Sequence, residues 1–337
     1  MIPPPLERRG KVTRTVVAQR AGVSTAVVSY VLNNGPRPVA EGTKRRVLAA
    51  IDELGYRPNS VARALKTQRT HTLGLLVPDN SNPYFAELGK AIEHEAYGRG
   101  YAILLGNSDN NVERESFQLA ALTDRRVDGL LLIGIQGNPS SEVDFGDTPV
   151  IYLDRFDASG SQSSVVVDNE DGARQGVRHL LGHGHRRILC LAGPAHLQAA
   201  EARLAGWRIE LEHAGIDTRD LVVRTDFTRL AGYEATREIL AGANRPTAIF
   251  ASSDLQGVGA LRACHDAGLR VPEDVAVLSF DGTQESEYTS PPLSVVQQDI
   301  PALAKAAVEL ILRQHNGSAV EQLTMPCSLL IRQSCGC

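Results

Sequence analysis

Val17-Ala18-Gln19-Arg20-Ala21-Gly22-Val23-Ser24, continued by Val27, Val28 and Val31, is the stretch that decides how this chain begins to fold. Apolar residues recur there at helical spacing in two short blocks, Val16 to Ala21 and Val27 to Leu32. Between them Gly22 suits a turn that needs a positive φ without a Cβ penalty. Ala18 is small enough for two helices to cross steeply at close range, and Ser24 is a good N-cap for the second helix. A third block, Val47, Leu48, Ile51 and Leu54, follows a loop rich in Asn, Gly and Pro from Asn33 to Pro38, and Arg57-Pro58-Asn59 is expected to stop it. The spacing predicts a small all-α helix-turn-helix unit whose second helix runs from about Thr25 to Leu32, the element such units lay in the major groove of DNA. A helical hairpin that never meets nucleic acid is the competing reading.

Charge favours the first reading. Residues 1–70 carry thirteen Lys/Arg against four acids, whereas the remaining 267 residues carry twenty-two against thirty-five. A basic head on an acidic body fits a polyanion-binding unit joined to one that does not itself adhere to DNA. A basic solvated tail is the plainer alternative, but tails lack patterned apolar residues. The opening MIPPPLERRGKV has no apolar run, and about eighteen uninterrupted apolar residues occur nowhere, so neither a signal peptide nor a membrane span is expected. Five scattered cysteines do not form a disulfide framework. A cytoplasmic protein without membrane partners is the expectation.

At Leu73 the pattern changes. LGLLV (73–77), YAILL (101–105), GLLLIG (129–134), PVIYLD (149–154), SVVVD (164–168), RILCLAG (187–193), LVVR (221–224), AIFAS (248–252) and VAVLSFD (275–281) are strand-like apolar runs alternating with helical patterns, one of them opened by Pro83. Buried strands interleaved with amphipathic helices argue for parallel α/β sheets. The unit from Leu73 to Leu105 is echoed weakly by Ile188 to Val223, which suggests two lobes with a ligand cleft between them; generic α/β periodicity accounts for the echo equally well.

VTRTVVAQRAGVSTAVVSYVLN and TKRRVLAAIDELGYRPNSVARALKT resemble the opening, third helix and hinge of the LacI/GalR repressor family, and the resemblance continues to Leu330-Ile331-Arg332-Gln333-Ser334 through NPYFAEL, RRVDGLLLIG, EARLAGW and GLRVPEDVAVLSFDGT. It implies a helix-turn-helix head on a body of two parallel-sheet lobes like a periplasmic binding protein. The implied divisions are a flexible extension (1–11), the DNA-binding domain (12–58), a hinge helix and linker (59–72), a first lobe (73–166 with about 299–327) and a second lobe (167–298 with about 328–334).

The resemblance places Thr25, Ala26, Ser29 and Tyr30 at base- and backbone-facing positions, with Asn33, Thr43 and Arg45 clamping phosphates. Asn59 to Leu65 would enter the minor groove, Ala62 and Leu65 acting as apolar wedges; packing of Leu65 in a core is the alternative. Thr13, Ser24 and Arg63 complete the implied DNA contacts. Tyr30 is a departure, because many family members carry Arg there; a guanidinium can read guanine bidentately and a phenol cannot. For the effector, the matching positions are Tyr84, Phe85, Asp154, Arg155, Arg203, Phe227, Ser253, Asp281 and Gln298. Carboxylates, a guanidinium and an aromatic face suit a sugar, and a nucleobase or other metabolite would be served by similar groups. For each, a strand-end cap or interlobe ion pair competes with ligand contact, except Arg203 and Asp281, where contact is favoured; Ser253 stands where many members have Asn.

The implied protein is a ligand-responsive repressor that binds a near-palindromic operator as a homodimer. The alternative is a cytoplasmic sugar-binding protein without enzymatic activity. No Gly-x-Ser-x-Gly elbow, phosphate loop or metal-ligand set is present, so no enzyme, cofactor or metal is expected. His179, His183 and His185 look like a metal cluster, but no acid or cysteine spacing completes it. Gly257-Val258-Gly259 lacks a third glycine and reads as helix packing, and Cys335 and Cys337 fall in an end expected to be disordered.

Overall fold

The structure, a computed structural model, describes residues 12–33, 37–57, 69–134, 143–154, 162–315 and 317–337, with Asn33 described by its backbone alone. The hinge positions Asn59, Ala62, Arg63 and Leu65, and Arg155 of the body, lie outside these residues. The chain divides into two compact units, Met1–Thr70 and His71–Cys337.

The first unit packs helices α1 (Arg14–Ala21), α2 (Thr25–Asn33) and α3 (Glu41–Leu54). α1 and α2 meet at 101°, within the range of helix-turn-helix units. Gly22 takes φ +66°, and its N–H and that of Val23 return to carbonyls of α1, so the turn closes without a Cβ in the left-handed region. The core is Val17, Ala18, Ala21, Val28, Val47, Ala50 and Tyr56. One sequence expectation is corrected: α3 ends at Gly55, φ +61°, with Tyr56 N–H bonded to Ile51 O, so a glycine cap stops it before Arg57-Pro58-Asn59 is reached.

The second unit contains two six-stranded sheets. The first runs β11-β5-β4-β3-β1-β2, built from β1 (Thr72–Val77), β2 (Ala102–Asn107), β3 (Leu130–Leu132), β4 (Val150–Leu153), β5 (Ser163–Val167) and β11 (Gln322–Met325), all parallel. The second runs β12-β10-β9-β8-β6-β7, from β6 (Ile188–Ala192), β7 (Val222–Arg224), β8 (Ala248–Ala251), β9 (Ala276–Asp281), β10 (Ser294–Gln298) and β12 (Cys327–Leu330). Its parallel order is broken at one edge, where β12 lies antiparallel to β10. The chain passes between the sheets after β5, after β10 and between β11 and β12.

Helices cover the sheets: α4 (Pro83–Gly98), α5 (Val112–Asp124) and α11 (Ile300–His315) pack on the first, and α6 (Asn169–Gly182), α7 (Gln198–His213), α8 (Arg229–Ala241) and α9 (Asp254–Asp266) belong to the second, with α10 (Gln284–Glu287) a single turn. Strand interiors such as Leu130, Leu131, Leu132 and Phe250 are fully buried, as expected of sheets covered on both faces. The backbones of α8 and α9 come so close that a Cβ on Gly259 would overlap the Arg229 carbonyl oxygen and one on Gly232 would press on Gln256. Gly257-Val258-Gly259 is therefore a helix crossing and not a phosphate loop. Among the described residues no single helix is long and apolar enough to cross a membrane.

Candidate functional site

Parallel sheets expose their strand ends at one edge, and both sheets present carboxyl ends to a common cleft of about 330 Å³. Asp79 follows β1, Asp154 follows β4, Asp226 and Phe227 follow β7, Ser253 follows β8, and Asp281 ends β9. Tyr84 and Phe85 line the cleft from the first turn of α4, which Pro83 starts and the Asn82 side chain caps by accepting from Tyr84 N–H at 3.0 Å.

At the centre, Arg203 rises from α7 with only 3% of its surface exposed. Its Nε donates to Asn169 Oδ1 at 2.8 Å, and its Nη1 donates to Ser252 O at 2.6 Å and to Asp281 Oδ1 at 3.1 Å. The guanidinium carbon lies 3.8 Å from the Phe280 ring centroid, a cation–π stack. These partners fix the plane of the group and leave Nη2 without a hydrogen bond among the described residues.

Asp281 adopts φ +121°, a strained conformation for a residue with a Cβ, and Gly282 follows at φ +77°. Asp254 holds this turn: its carboxylate accepts from Ser279 Oγ at 2.6 Å, and from the Thr283 N–H and hydroxyl at 2.7 Å each. Burial raises the Asp281 carboxyl above the ordinary carboxylate value; Arg203 pulls it back, while Asp254 and Asp154 push it further up. Asp254 is raised too, by burial, against the hydrogen bonds from Ser279 and Thr283.

Gln298 does not line the cleft. It sits behind, 2% exposed, donating from Nε2 to Asp281 Oδ1 at 2.9 Å and accepting at Oε1 from the Tyr84 hydroxyl at 2.8 Å. Burial first, then Asp154 and Asp281, hold the Tyr84 phenol well above its ordinary pKa, so it remains a donor. Tyr84–Gln298–Asp281–Arg203 is thus a continuous polar chain joining α4 on the first sheet to the second sheet. Ser253 lines the cleft and also caps α9, accepting from Gln256 N–H at 3.2 Å. Phe227 lies against Gly193, where a Cβ would overlap the ring, so that glycine sets how deep the aromatic face sits.

The sequence reading missed Asp226, Thr228, His196 and Asn169. The first three belong to loops past strand ends and line the cleft; polar loop residues carry no periodic signal. Asn169 opens α6 behind Arg203, and no sequence pattern links the two.

On the head, Thr13, Ser24, Thr25, Ala26 and Arg45 are exposed, and Ser29, Tyr30 and Thr43 are half-buried. Ser24 precedes α2, with its Oγ 3.4 Å from Val27 N, and Thr43 Oγ1 lies 3.4 Å from Arg46 Nη2. Thr25, Ala26 and Ser29 share the N-terminal half of α2, the part of such a helix that reaches base edges.

A basic helix-turn-helix unit preceding an α/β body with a polar cleft between its sheets defines a DNA-binding regulator that senses a small molecule. Residues 16–59 match the lacI family of bacterial regulatory proteins, and residues 177–335 match the periplasmic binding protein-like domain. The chain is 36% identical over 315 residues to the HTH-type transcriptional repressor PurR of Erwinia tasmaniensis, covering 92% of each chain. Among solved structures it is similar to the lac repressor dimer bound to operator and the anti-inducer ONPF, with a TM-score of 0.87 at 32% identity over 96% of this chain and 99% of that one. The cellobiose complex of the transcriptional regulator CelR matches over the same shares, with a TM-score of 0.73 at 32% identity. The chain belongs to the lacI family of bacterial regulatory proteins. These relatives are transcriptional regulators and not enzymes, and a ligand-binding protein without a DNA-binding role is set aside by the match over residues 16–59.

Proposed function

We propose that this regulator is a repressor whose cleft takes an uncharged, hydroxyl-rich molecule of the sugar class, and that closure of the two lobes on it changes affinity for a near-palindromic operator bound by a homodimer. The observation that carries the effector assignment is the Arg203–Asp281 pair, buried, strained at Asp281 and facing the cleft. Arg203 Nη2 and the Asp281 carboxylate provide a donor beside an acceptor, the arrangement that engages neighbouring hydroxyls, while Phe227 and Phe85 offer ring faces for the apolar side of a sugar. Asp79, Asp154, Asp226 and Asp281 outnumber Arg203 among the described lining residues, which disfavours phosphorylated or carboxylated ligands. A cellobiose complex is known for CelR. A nucleobase could use the same donors and acceptors with a ring stacked on Phe227.

On DNA, Thr25, Ala26, Ser29 and Tyr30 of α2 would meet the major groove, and Thr13, Ser24, Asn33, Thr43 and Arg45 the backbone. Asn59, Ala62, Arg63 and Leu65 would act in the minor groove, and Arg155 would join the effector site. The lobes and hinge would divide as the sequence implied, with lobe closure altering hinge spacing.

A thermal-shift screen of neutral sugars and nucleosides tests the cleft. A sugar hit abolished by both Arg203→Ala and Asp281→Asn is expected; a hit indifferent to both refutes the site, and a nucleoside hit refutes the sugar assignment. On the head, Leu65→Ala should weaken specific DNA binding far more than non-specific binding, and equal losses refute the wedge.

A further inference from the structure

The structure joins two features that the sequence keeps about 150 residues apart. His179 and His183 lie one turn apart at the C-terminal end of α6, their rings 4.7 Å between centroids. The final turn of the chain, Cys335-Gly336-Cys337, lies against them. Cys337 Sγ is 3.1 Å from His183 Nε2 and 3.4 Å from His179 Nε2. Cys335 Sγ is 3.3 Å from His179 Nε2 and 3.5 Å from Cys337 Sγ. This overturns the expectations that no cysteine completes the histidine pattern and that the C-terminal cysteines are disordered. His185, the third histidine of the motif, takes no part: its Nδ1 pairs with Thr247 Oγ1 at 3.0 Å.

We propose that His179, His183, Cys335 and Cys337 form a tetrahedral site for a divalent, thiophilic metal ion, zinc above all. Zinc takes sulfur at about 2.3 Å and nitrogen at about 2.0–2.1 Å, so tetrahedral donors stand about 3.4–3.8 Å from one another. The separations of Cys337 from both histidines and from Cys335, and of Cys335 from His179, need only a few tenths of an ångström of expansion. His179, His183 and Cys337 already hold their donor atoms within 4.8 Å of one another, and Cys335 approaches from the His179 side and must swing toward His183 to close the tetrahedron. Two thiols and two imidazoles are the donor set that selects zinc over magnesium or calcium. The histidine spacing, i and i+4 on a helix, aims both rings to one side. Cys-x-Cys is shorter than the usual two-to-four-residue interval of zinc motifs, and Gly336 compensates by taking φ +91°, which turns both thiols to one point.

The surroundings are those of a built site. Cys335 is fully buried, and Ser294 Oγ lies 3.0 Å from its sulfur, the outer-layer contact that orients metal ligands. The same Ser294 Oγ accepts from Arg332 N–H at 2.8 Å. Ser334, also fully buried, ties the tail to the sheet: its hydroxyl donates to Val277 O at 2.6 Å and accepts from Ser294 N–H at 2.8 Å. The tail is therefore held in register before any ion binds. His183 and Cys337 remain exposed, which gives the ion a route in. The bound ion cross-links Cys337 to α6, the helix whose first residue, Asn169, positions Arg203.

The test uses the untagged full-length chain, purified under reducing conditions, incubated with one equivalent of Zn(II) and passed over a desalting column. One zinc per chain is expected, and Co(II) in its place should give an intense thiolate-to-cobalt charge-transfer band with tetrahedral d–d bands. His183→Ala and Cys337→Ser, both at exposed positions, should keep the native fluorescence of Trp207 yet weaken metal binding by more than the roughly 10–100-fold that outer-layer changes cost. His185→Ala should bind as the wild type does. Zinc should raise the melting temperature of the wild type and leave Cys337→Ser unchanged. Substoichiometric zinc, an octahedral cobalt spectrum, a Cys335–Cys337 disulfide that persists under reductant, or undiminished binding by His183→Ala would each overturn the proposal.

Discussion

Replacing Arg203 by Met keeps most of the side-chain volume but strips Asp281 of its cation. Both groups are buried, with side chains 4% and 7% exposed, so solvent cannot repair the loss. Removing one partner of a buried pair costs about 3–5 kcal/mol, most of it the penalty of an uncompensated charge. That cost depends on pH. Burial already pushes the Asp281 carboxyl up to about 7, and without Arg203 it must rise further. A carboxyl raised in the folded state contributes stability that is complete below the ordinary carboxylate range and is lost as pH climbs through the folded value.

Arg203→Met should therefore be destabilised most at pH 8.5 and much less at pH 5.5, the difference growing by up to about 1.4 kcal/mol per pH unit in the window where one extra proton is held. Trp207 reports it cleanly. It is the chain's single tryptophan, fully buried, four residues beyond Arg203 on α7, with its indole N–H on Ile188 O at 3.2 Å. Urea unfolding followed by Trp207 fluorescence at the two pH values gives the stability difference. The double variant Arg203→Met, Asp281→Asn should recover most of the loss at pH 8.5 and flatten the pH dependence. Equal destabilisation at both pH values, with no recovery in the double variant, would refute the electrostatic account and leave a packing defect.

Other substitutions probe the remaining parts. Tyr84→Phe removes the hydroxyl that reaches Gln298; the stranded buried acceptor should lower body stability by about 1–3 kcal/mol in urea unfolding, and a change within error would show the contact carries nothing. Gly193→Ala places a methyl into the Phe227 ring, so effector affinity measured by calorimetry should fall while Trp207 fluorescence stays native; unchanged affinity would remove Phe227 from the site. Gly259→Ala forces α8 and α9 apart at backbone level and should cost about 1–3 kcal/mol by the same unfolding assay, with an unchanged midpoint as the contrary result.

Which parts of this structure the sequence reveals follows from how local each determinant is. Gly22, Ala18 and the valines around them specify the head within a few residues. The apolar runs of β1, β3 to β6, β8 and β9 announce themselves because strands covered on both faces need side chains of one kind, whereas the apolar run of the edge strand β2 leaves Leu104 and Leu105 exposed. Strands β10, β11 and β12 carry mixed or short segments (SVVQQ, QLTM and CSLL) at sheet edges or beside them, where long-range pairing and not composition makes the strand. The proline at 58 marks the end of α3 in the sequence, but Gly55, three residues earlier, already supplies the left-handed cap.

In the cleft, Asp281 and Arg203 could be matched to a family pattern, but that Gln298 stands behind Asp281 and bridges to Tyr84 depends on residues 214 apart meeting across two sheets. The histidines of the His179, His183, Cys335 and Cys337 cluster stand out in the sequence, but their cysteine partners do not, for the same reason: nothing local links them until Cys335 and Cys337 are laid on α6.

The central claim is that one chain couples DNA binding to occupancy of the cleft. Its most direct test is fluorescence anisotropy on a DNA site selected with the full-length protein, titrated with and without a saturating effector identified by thermal shift, for the wild type and for Asp281→Asn. The account predicts that effector changes the DNA dissociation constant of the wild type by about 5–150-fold, the span of ordinary allosteric coupling, and leaves that of Asp281→Asn unmoved. A wild-type protein that binds effector and DNA with no effect of one on the other would contradict it.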